Sequence, residues 1–365
     1  MEHDAERVTR ELAGKLSTRA RHVCVLLGAG ASVAAGLPTI AELEKLVEAA
    51  LPEDLQVLYA AQRPGRNLEQ TLSRIRKIRN LLDPGETLGG MDVNQARRLD
   101  SAICSAVTEA VDATGRDVSA FTYLASWAGR METHRPIEIF TVNYDLLIEA
   151  GLEEVGVPYF DGFVGGVKGR FAPELIEPSE GRPETRLPVG FVRLWKLHGS
   201  TNWKSTTINS RTEVVRTARA GGDAVAIYPS DEKYDDSRRL PFVALMDRFR
   251  RALVEPETLT LVCGYSWGDE HLNEMLFDAA QRHPRSEIVA LCFGVVPPAV
   301  AQRAASTRNL MALSPEQGII DGQLGTWISG ADIPGVFESG RYLLGDFART
   351  SAFLARQVGI DELSA

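Results

Sequence analysis

The sequence predicts an α/β fold, in which a doubly wound (Rossmann-like), mostly parallel sheet carries a helical insertion. Two observations support this. Apolar runs typical of buried strands, at residues 23–27, 137–141, 191–197 and 258–263, each lead into a turn of small or polar residues. Segments with helical periodicity follow these turns or precede the next strand, which is the alternation expected of parallel strands joined by helices.

Composition limits the class of protein. The chain has 365 residues, 44% of them hydrophobic and 24% charged, which is usual for a globular protein. Its net charge of −9 argues against nucleic acid as the main ligand. No apolar run approaches the roughly 20 residues of a membrane span, and the N-terminus does not resemble a signal peptide. The four cysteines are far apart and form no CxxC pair, so we expect buried thiols, a cytoplasmic location and no membrane association.

We divide the chain into a core, a helical insertion and a C-terminal segment. Residues 1–53 and 132–313 form the predicted core, and residues 314–365 contribute glycine-rich loops and a final helix over 341–357. Residues 54–131 contain no strand signal and form the helical insertion. Its predicted helices cover residues 55–62, 68–82, 93–113 and 119–131.

The first strand ends in the turn Gly28-Ala29-Gly30-Ala31-Ser32, and a helix follows Pro38. This layout is typical of a nucleotide site, where glycines let the main chain approach a pyrophosphate at a helix N-terminus. The third glycine of the dehydrogenase pattern comes late, at Gly36. The alternative is a glycine-rich structural turn without a ligand.

The second strand ends at Thr141, and a helix is predicted over 144–151. Asn143 and Asp145 therefore lie at the carboxyl end of this strand, where open parallel sheets bind ligands. An amide beside a carboxylate suits ribose hydroxyls, because together they offer donors and acceptors. The alternative is that one of them only caps the helix.

The third strand ends at His198, which is followed by Gly199 and Ser200. A histidine at a strand end beside small residues suits a general base near neutral pH. A structural histidine is the alternative.

The fourth strand runs into the turn Gly264-Tyr265-Ser266, where Gly264 and Ser266 suit the second half of a dinucleotide. Asp269 is interpreted as a helix cap or loop anchor. Hairpins are expected at 213–216 with 224–228, helices at 238–253 and 297–305, and a strand at 286–293.

Arg74, Arg76, Lys77 and Arg79 form a basic cluster on one predicted helix. We interpret the cluster as a solvated helix face rather than as a contact for phosphate or for a partner.

Together the four motifs resemble the sirtuin superfamily, and most closely the sirtuin-like NAD hydrolase domains of bacterial anti-phage defence systems. The resemblance rests on Gly28 to Pro38, Thr141-Val142-Asn143-Tyr144-Asp145, Lys196-Leu197-His198-Gly199-Ser200 and Gly264-Tyr265-Ser266, over residues 23–275. Tyr144 stands where deacetylase sirtuins have isoleucine, and no zinc-ribbon cysteines follow His198. We therefore expect no metal.

The resemblance implies that NAD lies across the strand ends as a substrate. Asn143, Asp145 and His198 are then the catalytic candidates. The implied cofactor-binding residues are Gly28, Ala29, Gly30, Ser32, Pro38, Thr141, Gly264 and Ser266. It further implies an NAD+ glycohydrolase that releases nicotinamide and ADP-ribose and depletes NAD during abortive infection.

The resemblance also implies regulation, through a homo-oligomer or through a partner ATPase or DNA translocase. The chain itself has no P-loop lysine motif. Two other functions stay open: a protein deacylase or ADP-ribosyltransferase, and a non-catalytic NAD or ADP-ribose sensor.

Overall fold

A computed structural model describes residues 1–177, 188–208, 211–218, 240–328 and 330–360. None of the helices in these ranges is both long and apolar enough to cross a membrane. The helices are α1 Ala5–Leu16, α2 Ala29–Ser32, α3 Ile40–Ala50, α4 Glu53–Gln62, α5 Leu68–Leu81, α6 Val93–Ala110, α7 Ser119–Arg130, α8 Leu147–Glu154, α9 Phe242–Val254, α10 Glu270–Arg282, α11 Pro298–Ser306 and α12 Phe347–Arg356. The strands are β1 Glu2–His3, β2 His22–Leu27, β3 Ile137–Thr141, β4 Tyr159–Phe160, β5 Phe163–Val164, β6 Lys168–Phe171, β7 Val192–Lys196, β8 Trp203–Ile208, β9 Arg211–Thr217, β10 Thr258–Cys263, β11 Glu287–Leu291, β12 Leu310–Leu313, β13 Gln317–Ile320, β14 Gln323–Trp327, β15 Phe337–Glu338 and β16 Arg341–Tyr342.

The main sheet has the strand order β1-β14-β13-β12-β11-β10-β2-β3-β7-β4. From β12 to β4 every neighbouring pair is parallel, whereas β13 pairs antiparallel with both β12 and β14. A separate antiparallel sheet has the order β5-β6-β9-β8, with β5 and β6 before β7 in the chain and β8 and β9 after it. The predicted α/β fold with a mostly parallel sheet is confirmed.

Helices cover both faces of the main sheet, as the doubly wound prediction requires. The central strand β2 is fully buried, and its side chains alternate between the two cores. Val23, Val25 and Leu27 pack with helices α1 to α8 and α12, whereas Cys24 and Leu26 pack with α9, α10 and α11. All four cysteines are buried and free, in agreement with their sequence context.

The segment 54–131 is helical, as predicted, and holds α5, α6, α7 and almost all of α4. The interpretation of its basic cluster was partly wrong. Arg76 and Arg79 pair with Asp100 at 2.9 and 2.6 Å, and the Arg76 side chain is only 14% exposed. Arg74 donates to Gln62 Oε1 at 2.9 Å. The three arginines therefore pack within the insertion, whereas Lys77 is exposed as predicted.

Three secondary-structure predictions were wrong, one for a loop and two for the start of a helix. The glycine-rich stretch near 318–335 contains β13 and β14, because Gly322 at φ +80° closes a tight hairpin there. The final helix begins at Phe347, not at 341, because the Asp346 side chain caps it. Helix α8 begins at Leu147, not at 144, because Asp145 Oδ1 accepts from the Leu147 amide at 3.1 Å.

A strand at 213–216 is confirmed as part of β9, but β9 pairs with the preceding strand β8. The strand expected at 224–228 as its hairpin partner lies outside the described residues. The helix expected from 238 is α9, which begins at Phe242 after Pro241.

Candidate functional site

The four motif-bearing turns lie side by side at the carboxyl edge of the sheet. Their strands are neighbours in the order β10-β2-β3-β7, and all are parallel. Their last residues are in register, since Cys263 pairs with Leu27, Leu27 with Thr141 and Thr141 with Lys196. The four turns therefore start at one level, at the edge where open parallel sheets bind ligands.

The first and fourth turns pack backbone against backbone. A Cβ at Gly28 would lie 2.6 Å from Gly264 O, and a Cβ at Gly30 would lie 2.8 Å from Gly264 Cα. The Gly28 and Gly30 amides donate to Cys263 O at 3.2 Å and to Gly264 O at 2.8 Å. Gly264 itself has φ +65°, and a Cβ there would lie 2.3 Å from the Ala31 amide nitrogen. These glycines are therefore required for contact between the two turns, whatever a ligand adds.

A buried hydrogen-bond chain links the first turn to the second. Asn143 Nδ2 donates to Gly28 O and to Ser32 Oγ, both at 2.9 Å. Ser32 Oγ donates to Asp145 Oδ2 at 2.6 Å. Thr141 Oγ1 donates to Leu27 O at 3.0 Å and accepts from the Asn143 amide at 3.0 Å. The structure thus brings Gly28, Ser32, Thr141, Asn143 and Asp145 together, and their rotamers are fixed by one another.

Lys196 is a site residue that the sequence reasoning missed. It is 2% exposed, and its Nζ donates to the Asp145 carbonyl and to Glu149 Oε1, the latter at 3.0 Å. Burial raises the pKa of Glu149, and the Lys196 charge opposes that rise. A lysine at the end of a buried strand was the signal that could have revealed this ion pair beneath the Asp145 loop.

His198 pairs with a residue in the turn after β10, a strand that two others separate from β7 in the sheet. Its Nε2 lies 3.2 Å from Asp269 Oδ2, and both side chains are at most 10% exposed. Asp269 also caps α10, because its Oδ1 accepts from the His271 and Leu272 amides at 2.8 and 3.2 Å. The cap predicted for Asp269 is confirmed, but its contact with His198 was missed. An imidazole held by a carboxylate is the arrangement of a positioned general base.

Asn143 and His198 occupy matching positions on adjacent strands. Thr141 on β3 and Lys196 on β7 are registered partners, and Asn143 and His198 each come two residues later. Neighbouring strands lie about 4.8 Å apart. The Thr201 amide also donates to Tyr144 O at 2.9 Å, which ties the two loops together. Within the described ranges, no hydrogen bond joins the two side chains to each other.

Several buried polar atoms in these loops have no hydrogen-bond partner among the described residues. They are Asn143 Oδ1, Ser200 Oγ and Asn202 Oδ1. Ser200 is fully buried, and Asn202 is 9% exposed. Buried polar groups without partners are costly, so such a cluster fits a ligand that supplies hydrogen bonds. Neither Ser200 nor Asn202 was proposed as a binding residue from the sequence, although Ser200 ends the His198 motif and Asn202 follows it.

The remaining predicted residues are less tightly placed. Ala29 opens α2, Pro38 is half-buried before α3, and Ser266 is exposed in the fourth turn. Their roles in binding remain predictions.

A second buried polar network lies toward the opposite edge of the sheet. His22 contacts Glu138 Oε1 at 2.8 Å, and Trp195 and Arg248 also donate to Glu138. Burial works against the His22 charge, but neighbouring Cys24 and Glu138 outweigh it and raise the pKa of His22 to about 10. Burial likewise disfavours the Glu138 carboxylate, but Arg248 and His22 hold the pKa of Glu138 far below its usual range.

His22, Glu138 and Glu255 have ligand atoms close enough together to hold a metal ion. Arg248 already donates to Glu138 and to Glu255, the latter at 2.8 Å. A guanidinium therefore supplies the positive charge that these carboxylates need.

Comparisons with known proteins agree with the motif order. Residues 137–313 match the family model of the SIR2-like domain. This span contains the second, third and fourth motifs, so the predicted resemblance to sirtuins is confirmed over these residues. No curated protein sequence matches the chain significantly.

Two solved structures are distantly similar in shape. One is a histidine-to-asparagine mutant of a Sir2 homologue with ADP-ribose, at 12% identity and a TM-score of 0.43, covering 95% of each chain. The other is a Sir2 homologue with NAD, at 13% identity and a TM-score of 0.48, covering 98% of this chain and 94% of that one.

Proposed function

We propose that this chain, whose residues 137–313 match the SIR2-like domain, is an NAD+ glycohydrolase. One observation carries the proposal. Asn143 is buried at the carboxyl edge, its Nδ2 is held by Gly28 and Ser32, and its Oδ1 has no partner among the described residues. An amide oxygen fixed in this way is preorganised to accept a hydrogen bond from a ribose hydroxyl or from a water molecule.

Cleavage breaks the bond between ribose C1′ and the nicotinamide nitrogen. The bonding electron pair passes to the nitrogen, which neutralises the ring, and positive charge develops on the ribose. Water then adds to C1′ and loses a proton, giving ADP-ribose and free nicotinamide. In this scheme Asn143 orients the ribose or the water, and Asp145 maintains that geometry through Ser32.

His198 is the proposed general base for that proton. Asp269 faces its Nε2, so Nδ1 is the nitrogen available to accept a proton in the neutral tautomer. The Asp269 carboxylate stabilises the imidazolium that results. The first turn would hold the pyrophosphate through Ala29, Ser32 and the start of α2, and Gly264 and Ser266 would line the adenosine side.

Nicotinamide release from purified protein tests the proposal. Asn143→Ala and His198→Ala are expected to lower turnover by about 100-fold or more, within the range for lost general-base catalysis. His134→Ala, at an exposed histidine, is the matched control and should leave turnover unchanged. Undiminished turnover in both site variants would refute the assigned roles.

The same samples separate the other candidate functions. Transfer of an acyl group from an acyl-lysine peptide, followed by mass spectrometry, would identify a deacylase. Calorimetric binding of NAD+ without nicotinamide release would identify a sensor.

For the biological role we propose NAD depletion in bacterial anti-phage defence, as the sequence resemblance implies. An uncontrolled glycohydrolase would poison its own cell, so its activity must be controlled. Control would come from a homo-oligomer or a partner ATPase. Light scattering after size-exclusion chromatography, with and without the product of a neighbouring gene, tests this. A strict monomer whose activity no partner changes would contradict it.

A further inference from the structure

The helical insertion brings one carboxylate to the carboxyl edge of the sheet. Glu69 lies in the first turn of α5, which Asn67 caps. Glu69 Oε1 accepts a hydrogen bond from the Tyr144 hydroxyl at 2.9 Å. Tyr144 directly follows Asn143 in the second turn. A residue far outside the SIR2-like match is thus hydrogen-bonded to the residue that follows a proposed catalytic one.

A second tyrosine, Tyr265, lies within electrostatic reach of Glu69. Tyr265 lies in the fourth turn, and its hydroxyl donates to the Asp269 carbonyl at 3.2 Å. Burial raises the pKa of Tyr265, and the charges of Asp269 and Glu69 add to that rise. Glu69 thus hydrogen-bonds Tyr144 in the turn after β3 and is near enough to Tyr265 for its charge to act on that hydroxyl. In the sheet β2 lies between β3 and β10, so the turn after β2 separates the turns that hold these two tyrosines.

The Glu69 carboxylate has spare capacity to bind a ligand. It is half-buried, and within the described ranges it makes no ion pair and accepts no hydrogen bond besides that of Tyr144. Its position in the first turn of α5 favours a negative charge, because the helix N-terminus is electropositive. The edge therefore carries a carboxylate that forms no ion pair with a basic side chain of the described residues, although the Arg76 charge also acts on the Tyr144 hydroxyl.

We propose that Glu69 contacts the cationic nicotinamide end of NAD+ and makes the site select the oxidised over the reduced dinucleotide. This inference rests on the proposed function. The nicotinamide ring of NAD+ carries a positive charge that the dihydronicotinamide of NADH lacks. A carboxylate at this end therefore attracts only the oxidised form. As the glycosidic bond breaks, the positive charge moves to the ribose and stays within reach of the same carboxylate.

Calorimetry with non-cleavable ligands tests this proposal apart from catalysis. Carba-NAD+, in which a methylene replaces the oxygen of the nicotinamide ribose ring, keeps the ring charge but resists cleavage. Carba-NADH is its uncharged counterpart, and ADP-ribose lacks the ring. Wild-type protein is expected to bind carba-NAD+ about 10-fold more tightly than carba-NADH, as one partly screened charge pair would give.

Glu69→Gln keeps a hydrogen-bond acceptor for Tyr144, so the variant should fold, which a thermal melt checks. It is expected to lose the 10-fold preference while its affinity for ADP-ribose stays within about twofold. Glu154→Gln, at an exposed glutamate on α8, is the matched control and should bind like wild type.

The outcomes distinguish the two proposals. Wild-type protein that binds none of the three ligands overturns both. Wild-type protein that binds them without preferring carba-NAD+, or a Glu69→Gln variant that keeps the full preference, overturns the role of Glu69 and leaves dinucleotide binding intact.

Discussion

Asp269→Asn separates the helix cap that the Asp269 side chain provides from its contact with His198. Asparagine caps helices about as well as aspartate, so α10 should keep its N-terminal hydrogen bonds. The substitution removes the negative charge 3.2 Å from His198 Nε2. Activity should therefore fall while the fold is retained.

The geometry sets the size of the effect. Coulomb attraction between unit charges 3.2 Å apart is roughly 5 kcal/mol at an effective dielectric constant of about 20, before desolvation is subtracted. Hydrogen bonds to charged groups contribute about 1.5–3 kcal/mol net. In the proposed mechanism the His198 imidazolium forms as the proton is taken up, so this difference acts on the transition state. It corresponds to a decrease in kcat of about 10- to 150-fold.

The assay is steady-state nicotinamide release, with urea unfolding of the same samples. Unfolding free energy should change by less than about 0.5 kcal/mol, since an adequate cap remains. Asp92→Asn is the matched control, because Asp92 caps α6 by the same two-amide pattern and has no histidine partner. A fully folded Asp269→Asn variant with wild-type kcat would refute the role given to the pair.

Three other predictions concern stability. Ser32→Ala breaks the link between Asn143 and Asp145 and should cost about 1–3 kcal/mol in urea unfolding; an unchanged midpoint would contradict the network. Gly264→Ala should lower the melting temperature sharply, because Gly264 has φ +65° and a Cβ there would lie 2.3 Å from a backbone nitrogen. The control Gly14→Ala, at an open helical position, should not lower it. Because the folded pKa of His22 is raised to about 10, its stabilising contribution is complete below about pH 6.5 and is lost as pH rises towards 10. The urea midpoint should therefore fall over this range more in wild type than in His22→Gln, and equal slopes would contradict the assignment.

Local patterns were enough to predict the central architecture. The strands β2, β3, β7 and β10 are buried on both faces, so each appears in the sequence as an apolar run that ends at a small-residue turn. The candidate residues Asn143 and His198 were proposed for the same reason, since each comes two residues after such a strand.

Contacts between distant parts of the chain were not predictable in this way. Gly28 and Gly30 were assigned to a pyrophosphate, but their close neighbours are Gly264 and Tyr265, more than 230 positions away. The pairing of His198 with Asp269 likewise joins strands that are separated in the sheet by two others. Nothing in the local sequence around either residue specifies its partner.

Buried charges were also missed, because their sequence context suggests apolar strands. Glu138 and Lys196 lie within β3 and β7 and are each 2% exposed. Each is tolerated only because a distant residue neutralises it, Arg248 for Glu138 and Glu149 for Lys196. Such compensation becomes visible only when the chain is folded.

The most direct test of the central claim is a crystal structure of the His198→Ala variant with NAD+. We expect the nicotinamide ribose between residues 143 and 198, with one of its hydroxyls within about 2.6–3.2 Å of the Asn143 amide. NAD+ bound elsewhere, or bound with its nicotinamide ribose away from Asn143, would contradict the account.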